Sequence, residues 1–183
     1  MGIIYRRRKN PTETLKMTAH TDSDWAGSHL QSDGKSTSGY IFFLADGAIS
    51  WSSKRQPTVS TSSTEAEYIG QANAVRHTVH LIQLLNQMHL SIPTPITIYG
   101  DNQASIASSK NPEFHARTKH IDVIYHYQRE KVRDKLVEFI YVPTAEMAAD
   151  GLTKPLPRVK FERFLELIKM RKLNTMNEGD KAE

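Results

Sequence analysis

The sequence predicts an α/β fold in which one five-stranded mixed sheet is flanked by helices. Three observations predict it: three β segments come first with hairpin-like links, a long helical pattern follows, and the remaining strands then alternate with helices. Strands joined by hairpins are antiparallel neighbours, whereas strands separated by a helix can be parallel. A single sheet that contains both kinds of pair, with helices on its faces, accounts for this order.

The first three strands are indicated by alternating polarity and by turn residues. They are predicted at residues 15–22, 39–44 and 48–52. The dipeptide Asp46-Gly47 stands between the last two and is typical of a two-residue hairpin turn. The sequence therefore predicts a tight antiparallel hairpin at this point.

The rest of the chain alternates between helices and strands. Apolar residues three to four positions apart predict an amphipathic helix over residues 62–88, which Pro93 and Pro95 end. Further along, strands are predicted at 96–99 and 136–142, short helices at 103–110 and around 148–150, and longer helices at 119–133 and 159–170.

The domain organisation follows from these elements. At 183 residues the chain is long enough for one ordinary domain. We expect a polar leader at 1–14, the main domain at 15–157, a C-terminal amphipathic helix at 158–172 and a disordered tail at 173–183.

Composition excludes some classes of protein and favours others weakly. The chain has no cysteine, which excludes disulfide frameworks and thiolate zinc sites, and no apolar run approaches the roughly 20 residues of a membrane span. A net charge of +4 favours a polyanionic partner only slightly. Local basic patches, including Lys54-Arg55, are as typical of solvated surface as of a binding face.

Several carboxylates stand where two-metal phosphodiester hydrolysis would need them. Asp22 and Asp101 each come at a predicted strand end, and Asp150 follows the last strand. Glu65 and Glu67 open the long helix about 200° apart, so only one of them can face the sheet. Taken alone, Asp22 and Asp101 could be solvated turn acids, Glu65 and Glu67 could cap the helix, and Asp150 could be an ordinary acid on a helix surface.

Eight motifs in order carry a resemblance that covers nearly the whole chain. The chain resembles the ribonuclease H region at the C-terminus of copia-type retrotransposon Pol polyproteins. The matching motifs are Thr-Asp22-Ser-Asp-Trp-Ala-Gly, Lys35-Ser-Thr-Ser-Gly-Tyr, Ile-Ser-Trp51-Ser-Ser-Lys, Ser-Ser-Thr-Glu-Ala-Glu67-Tyr, Tyr-Gly-Asp101-Asn-Gln, Arg117-Thr-Lys-His-Ile-Asp, Tyr-Val-Pro-Thr and Ala-Asp150-Gly-Leu-Thr-Lys-Pro-Leu.

The resemblance implies a ribonuclease H-like fold with a four-carboxylate metal site. The implied catalytic and metal-ligating residues are Asp22, Glu67, Asp101 and Asp150, with Asp24 as the competitor to Asp22. Glu67 is preferred to Glu65 because Ala-Glu67-Tyr matches the family's helix start. Two Mg²⁺ ions are implied, which Mn²⁺ could replace, since hard carboxylates suit hard cations.

The implied substrate is an RNA/DNA hybrid, whose RNA strand would be cut to leave 5′-phosphate products. Next to the acids, Ser23, Asn102 and Gln103 are candidates for contacts with 2′-hydroxyl groups. Candidates for phosphate contacts are Lys54, Arg55, Arg117 and Lys119, and His120 is a possible accessory residue.

The family context also implies partners and a location. We expect the reverse transcriptase of the same polyprotein as a neighbour, no membrane partner, and an intracellular location in cytoplasmic virus-like particles, or else in the nucleus. His77, His80 and Gly100 depart from the family pattern. These departures permit one alternative, a catalytically impaired or domesticated nucleic-acid-binding module. Two others are a docking domain that supports the reverse transcriptase and an integrase-like strand transferase, for which a companion zinc-binding region is missing.

Overall fold

The computed structural model describes residues 1–7, 10, 14–27, 33–110 and 119–172, and for 119–125 it describes only the helical backbone. Two 3₁₀ turns, Thr144–Glu146 and Asp150–Leu152, connect the last elements. The strands and helices of this part of the chain are β1 (Gly2–Ile3), β2 (Thr18–Asp24), β3 (Thr37–Leu44), β4 (Gly47–Arg55), α1 (Ser63–Gln87), β5 (Ile96–Gly100), α2 (Gln103–Lys110), α3 (Lys119–Arg133), β6 (Val137–Tyr141), α4 (Arg158–Leu167) and β7 (Met170–Arg171).

The central sheet has five strands in the order β4-β3-β2-β5-β6. The β2-β3 and β3-β4 pairs are antiparallel, whereas β2-β5 and β5-β6 are parallel. The helices between β4, β5 and β6 supply the long crossovers that parallel pairs require. The predicted five-stranded mixed sheet flanked by helices is confirmed.

The hairpin between β3 and β4 turns one residue earlier than predicted. Leu44 pairs with Gly47, so Ala45 and Asp46 are the two turn residues, and both have positive φ angles of 51° and 63°. Two left-handed residues in succession are the requirement of the favoured hairpin turn. Gly47 instead begins β4, and its missing side chain leaves room for the ring of Tyr5.

Helix α1 begins where the predicted cap stands. The Ser62 hydroxyl accepts a hydrogen bond from the Glu65 backbone N–H (3.1 Å), and the Glu65 carboxylate accepts one from the Thr61 backbone N–H (2.7 Å). These bonds satisfy donors that a helix start would otherwise leave unpaired. Glu65 is thus engaged at the cap, which leaves Glu67 to face the sheet.

Apolar layers cover both faces of the sheet. One cluster lies between α1 and the sheet and contains Phe42, Val75 and Ile98, and the other lies on the opposite face around Ile41, Phe43 and Met147–Ala149. The alternation of Ile41, Phe42 and Phe43 along β3 supplies both layers. The predicted helix around 148–150 is wrong: short 3₁₀ turns occupy this segment, because it lies flat against the second face.

The two ends of the described chain meet in a second, two-stranded sheet. Gly2 and Ile3 pair antiparallel with Arg171 and Met170, and the Tyr5 hydroxyl donates to the Ala48 carbonyl (2.8 Å). The described part of the leader is therefore packed on the domain. The predicted tail at 173–183 lies outside the described residues. Among the described helices, none combines the length and apolar character that crossing a bilayer requires.

Candidate active site

Three carboxylates meet at one edge of the sheet. Asp22 lies near the end of β2, Asp101 follows β5, and Glu67 lies near the start of α1; one oxygen of each lies within 4.8 Å of the others. The parallel register pairs His20 with Tyr99, so two residues further on Asp22 and Asp101 stand side by side. The strand topology thus brings together acids that are far apart in sequence.

Glu67 is held by one oxygen and has the other unengaged. Its Oε1 accepts a hydrogen bond from the Ser23 backbone N–H (3.0 Å), whereas the buried Oε2 has no hydrogen-bond partner among the described residues. Burial, followed by the charges of Asp22 and Asp101, raises the pKa of Glu67 to about 9. A buried oxygen without a partner is the kind of atom that a cation would satisfy.

Asp22 is also buried and is held by the segment that follows β6. The Thr153 hydroxyl donates a hydrogen bond to Asp22 Oδ2. Burial raises the pKa of Asp22 to about 6, against the lowering effects of that hydrogen bond and of Lys154. Gly39 pairs with Asp22 across β2 and β3, and a Cβ there would lie 2.8 Å from Leu152 Cβ. Glycine at this position lets the Asp150–Leu152 turn approach the acids.

Asp150 stands beside the three acids rather than among them. It is buried, and its Oδ1 lies 2.5 Å from the Lys154 ammonium group. The charge of Lys154 also acts on Asp22 and Glu67. Lys154 therefore places a positive charge between Asp150 and the three grouped acids.

Two further observations complete the geometry around Asp101. The Thr144 hydroxyl donates to Asp101 Oδ2 (2.8 Å), which orients this half-buried carboxylate. Asp24, the competitor to Asp22, is half-buried and is not one of the three grouped acids. The strand end at Asp24 lies two residues beyond the predicted one.

Asp22, Glu67 and Asp101 could hold a metal ion. Their donor atoms are all carboxylate oxygens, which suit hard cations such as Mg²⁺, Mn²⁺ or Ca²⁺. Two of these acids are buried with raised pKa values, so their ionised forms are destabilised without a counter-charge. A divalent cation would supply that counter-charge.

The predicted substrate-binding residues have different surroundings. Ser23 is buried, and its hydroxyl hydrogen-bonds that of Ser38 (3.0 Å), so this side chain supports the sheet edge. Asn102 Oδ1 accepts from the Ser105 backbone N–H (2.9 Å) at the start of α2, whereas Gln103 is exposed. Lys54 and Arg55 are exposed at the end of β4, where Arg55 pairs with Asp33.

Three of the predicted residues cannot be placed, and three residues that contact the acids were not predicted. Arg117 lies outside the described residues, as do the side chains of Lys119 and His120. The sequence interpretation assigned no role to Thr144, Thr153 or Lys154, which contact the acids. All three lie inside the motifs quoted above, Tyr-Val-Pro-Thr and Leu-Thr-Lys-Pro, and those motifs were the available signal.

Comparison with curated proteins identifies homologues for most of the chain. The sequence is 41% identical to the retrovirus-related Pol polyprotein from transposon RE1 of Arabidopsis thaliana. The alignment spans 155 residues, which is 85% of this chain. It is 43% identical over 154 residues to that from transposon TNT 1-94 of Nicotiana tabacum, which covers 84%. The chain spans only about a tenth of the length of these relatives (10% and 11%). No family model matches the sequence.

Comparison with solved structures identifies the fold. LC11-RNase H1 in complex with an RNA/DNA hybrid superposes with a TM-score of 0.53 at 14% identity, over 75% of this chain and 94% of that one. The foamy viral protease-reverse transcriptase in complex with an RNA/DNA hybrid gives 0.52 at 15% identity, over 81% of this chain and 21% of that one. The predicted fold class and family resemblance are confirmed.

Proposed function

Because this chain has a ribonuclease H-like fold and its homologues are copia-type retrovirus-related Pol polyproteins, we propose that it hydrolyses the RNA strand of RNA/DNA hybrids. The observation that carries the proposal is the convergence of Asp22, Glu67 and Asp101 within 4.8 Å, with Glu67 Oε2 buried and unpartnered. In two-metal phosphodiester hydrolysis, a group of carboxylates of this kind holds the metal ions close together.

The four acids would hold two metal ions, each in a different way. When bound, two Mg²⁺ ions, or Mn²⁺ in their place, supply an activated water and stabilise charge on the leaving oxygen. Asp22 and Asp101 stand side by side and would hold both ions. Glu67, fixed through Oε1 by Ser23, would use Oε2 near the leaving 3′ oxygen. Asp150, once released from Lys154, would help to hold the ion that activates the water. The products would be a 3′-hydroxyl and a 5′-phosphate.

The hybrid would be recognised through its backbone and shape. Asn102 and Gln103 directly follow Asp101 and are proposed to contact 2′-hydroxyl groups, which distinguish RNA from DNA. Ser23 would contact a 2′-hydroxyl group through its backbone carbonyl, since its hydroxyl is buried and its backbone N–H is donated to Glu67. Lys54, Arg55, Arg117 and Lys119 are proposed to contact phosphates, and His120 remains a possible accessory residue.

The homologues also suggest where this activity is used. We propose that the segment acts beside the reverse transcriptase of one polyprotein, in cytoplasmic virus-like particles, during reverse transcription. The exposed apolar side chains of Val159 (78%) and Phe161 (47%) on α4 are consistent with a neighbouring domain.

The test is cleavage of a labelled RNA/DNA hybrid in Mg²⁺ and in Mn²⁺, beside single-stranded and duplex RNA. We expect cleavage of the hybrid alone, and a loss of about 10³-fold or more in Asp101→Asn, because metal-centred stabilisation is removed. Asp134→Asn is the matched control, since Asp134 is an exposed acid paired with Arg133.

Two other results would count against the proposal. Equal activity of Asp101→Asn would exclude this site as the catalytic one. Hybrid binding without cleavage, with or without the polymerase domain added in trans, would favour the binding-module alternative. The division of labour has its own test: metal titration of Glu67→Gln and Asp150→Asn contradicts it if both variants lose the same ion.

A further inference from the structure

A cationic groove lies between α1 and the edge of the central sheet. It is a cavity of about 480 Å³ to which β4 contributes Lys54 and Arg55, and α1 contributes Asn73, Arg76, His77 and His80. Among the described residues, no carboxylate lines this cavity. We call this cavity the α1 groove. Since the sequence interpretation included only its two β4 residues, the α1 side is a new feature.

The charge of the α1 groove is not neutralised by the protein. Among the described residues, the ion pairs include Arg55 with Asp33 but none of Lys54 or Arg76, and both of these side chains are exposed. Arg76 and Lys54 thus present two full positive charges to one cavity, with the Asn73 amide beside them. Unpaired cations that face a concave surface favour an anionic ligand.

Contacts between side chains form one wall of the groove. His77 Nε2 lies 2.7 Å from Ser50 Oγ, and its ring stacks on Tyr40 at a centroid distance of 5.0 Å. His80 lies against His77 with their ring centroids 5.8 Å apart. Side chains ordered in this way give the groove a defined shape before any ligand binds, which lowers the entropic cost of binding.

A short chain of contacts joins the groove to the acids. Ser38 lines the groove and accepts a hydrogen bond from Gln56 Nε2 (2.7 Å), and its hydroxyl also pairs with that of Ser23 (3.0 Å). The Ser23 backbone N–H in turn donates to Glu67 (3.0 Å). The groove and the candidate active site are therefore separated by the buried side chains of Ser38 and Ser23.

Arg76 lies on the other side of α1 from the acids. It is nine residues after Glu67, which is about 14 Å along the helix axis and about half a turn around it. A ligand that reaches both must therefore curve around the flank of α1 on which Asn73 and His77 line the groove. A duplex, whose backbones wind around its axis with phosphates at regular intervals, has a curved charged surface of this kind.

We propose that the α1 groove binds backbone phosphates of the hybrid away from the site of cleavage, with Arg76 and Lys54 as the charged contacts. This assignment rests on the proposed function, because the phosphates belong to the same substrate. It adds Asn73, Arg76, His77 and His80 to the substrate-binding surface. The groove would hold the duplex in register and would not contact the reacting atoms.

The test is the salt dependence of hybrid affinity, measured with Ca²⁺ in place of Mg²⁺ so that cleavage is not required. For Lys54→Gln/Arg76→Gln we expect weaker binding and a slope of log affinity against log salt that is smaller by about 2, since each phosphate contact contributes about 0.9. Arg76→Lys keeps the charge and should keep the affinity. The matched control is Arg158→Gln/Lys160→Gln on α4, which packs over the other face of the sheet.

The position of the contact is tested with hybrids that carry one neutral methylphosphonate linkage at successive positions. A neutral linkage at one or two positions away from the cut should weaken binding of the wild-type protein but not of the groove variant, and the absence of any such position would contradict a phosphate contact. An unchanged salt slope, or an equal loss in the α4 control, would overturn the proposal. A wild-type protein that does not bind the hybrid would refute the proposed function itself, whereas unaltered groove variants would refute only the groove.

Discussion

At the scale of single residues, Glu67 shows how the burial of carboxylates in the site makes stability depend on pH. Burial raises the pKa of Glu67 from its ordinary 4.5 to about 9, and that of Asp22 from 3.8 to about 6. Between the ordinary and the raised pKa, the folded protein holds a proton that the unfolded chain has released. Stability contributed by these groups therefore falls as pH rises across these windows, because the unfolded state binds fewer protons.

Glu67→Gln should remove most of this pH dependence. In the presence of a chelator, the free energy of unfolding of the variant relative to that of the wild-type protein should rise by about 3 kcal/mol from pH 6 to pH 8, because one retained proton corresponds to about 1.4 kcal/mol per pH unit. Urea denaturation at each pH measures it, and the difference between variants cancels groups such as His20, whose pKa burial lowers to about 4. The control is Glu166→Gln, an exposed acid on α4. Parallel stability curves would contradict the assigned pKa.

Lys154 is the second residue whose role can be measured directly. Its ammonium group lies 2.5 Å from Asp150 Oδ1 and acts electrostatically on Asp22 and Glu67, so it competes with any metal ion for the same charges. We expect Lys154→Met to bind Mn²⁺ about fivefold more tightly, as for a charge interaction of about 1 kcal/mol near the surface. Titration followed by electron paramagnetic resonance measures this. Lys16→Met is the control, because Lys16 is exposed just before β2, at the opposite end of that strand from Asp22. Weaker binding would show instead that Lys154 positions Asp150.

These residues also show the limit of the sequence interpretation. Asp22 and Asp24 are two positions apart on one strand, so they face the same side, and their spacing cannot choose between them. Only the register of β2 with β5, which aligns Asp22 with Asp101, distinguishes them. Lys154 lies in a quoted motif, but no local pattern tells a lysine paired with an active-site acid from a solvated one.

At the scale of elements, the predicted order of strands and helices is confirmed from residue 18 to 167 except for the helix around 148–150, which is replaced by 3₁₀ turns. Periodic apolar residues identified α1, and turn residues identified the β3-β4 hairpin to within one position. The elements that were missed are short. Strands β1 and β7 have two residues each, which is too few for any periodicity, and the 3₁₀ turns at 144–146 and 150–152 lie on the sheet only because of contacts that are distant in sequence.

The close approach of the 150–152 turn to β3 gives a prediction for Gly39. A Cβ at this position would lie 2.8 Å from Leu152 Cβ and 3.0 Å from Thr153 Cγ2, so Gly39→Ala must push the turn outward and weaken the Thr153 contact with Asp22. We expect a loss of about 1–3 kcal/mol in the free energy of unfolding, as for overpacked cores, together with weaker Mn²⁺ binding. Urea denaturation and metal titration measure the two effects.

Gly2→Ala is the control for Gly39→Ala, because it makes the same change where a Cβ would meet nothing within 4 Å. If Gly39→Ala were as stable as the control and bound Mn²⁺ equally well, the turn would not depend on this contact. A loss of metal affinity without a loss of stability would locate the effect in the Thr153–Asp22 bond alone.

At the scale of the whole molecule, the candidate site and the paired chain ends belong to different parts of the fold. The acids lie at the end of β2 and β5, whereas the leader contacts the β3-β4 hairpin, where Tyr5 donates to Ala48 and Arg6 pairs with Asp46 (3.1 Å). Lys169 pairs with the same Asp46 (3.1 Å), so the hairpin turn binds both ends of the described chain. This arrangement predicts that the ends can be released without loss of the metal site.

Gly47→Ala tests that independence. A Cβ on Gly47 would overlap the ring of Tyr5, so the leader should detach from the hairpin, while Asp22, Glu67 and Asp101 keep their positions. Because Arg6 and Arg7 are trypsin sites, we expect cleavage there to become about tenfold faster, as for a local opening eased by about 1.4 kcal/mol, with Mn²⁺ affinity unchanged. Gly2→Ala is again the control and should leave proteolysis at the wild-type rate. If Mn²⁺ affinity fell together with the leader's protection, the paired ends would be part of the structure that holds the acids in place.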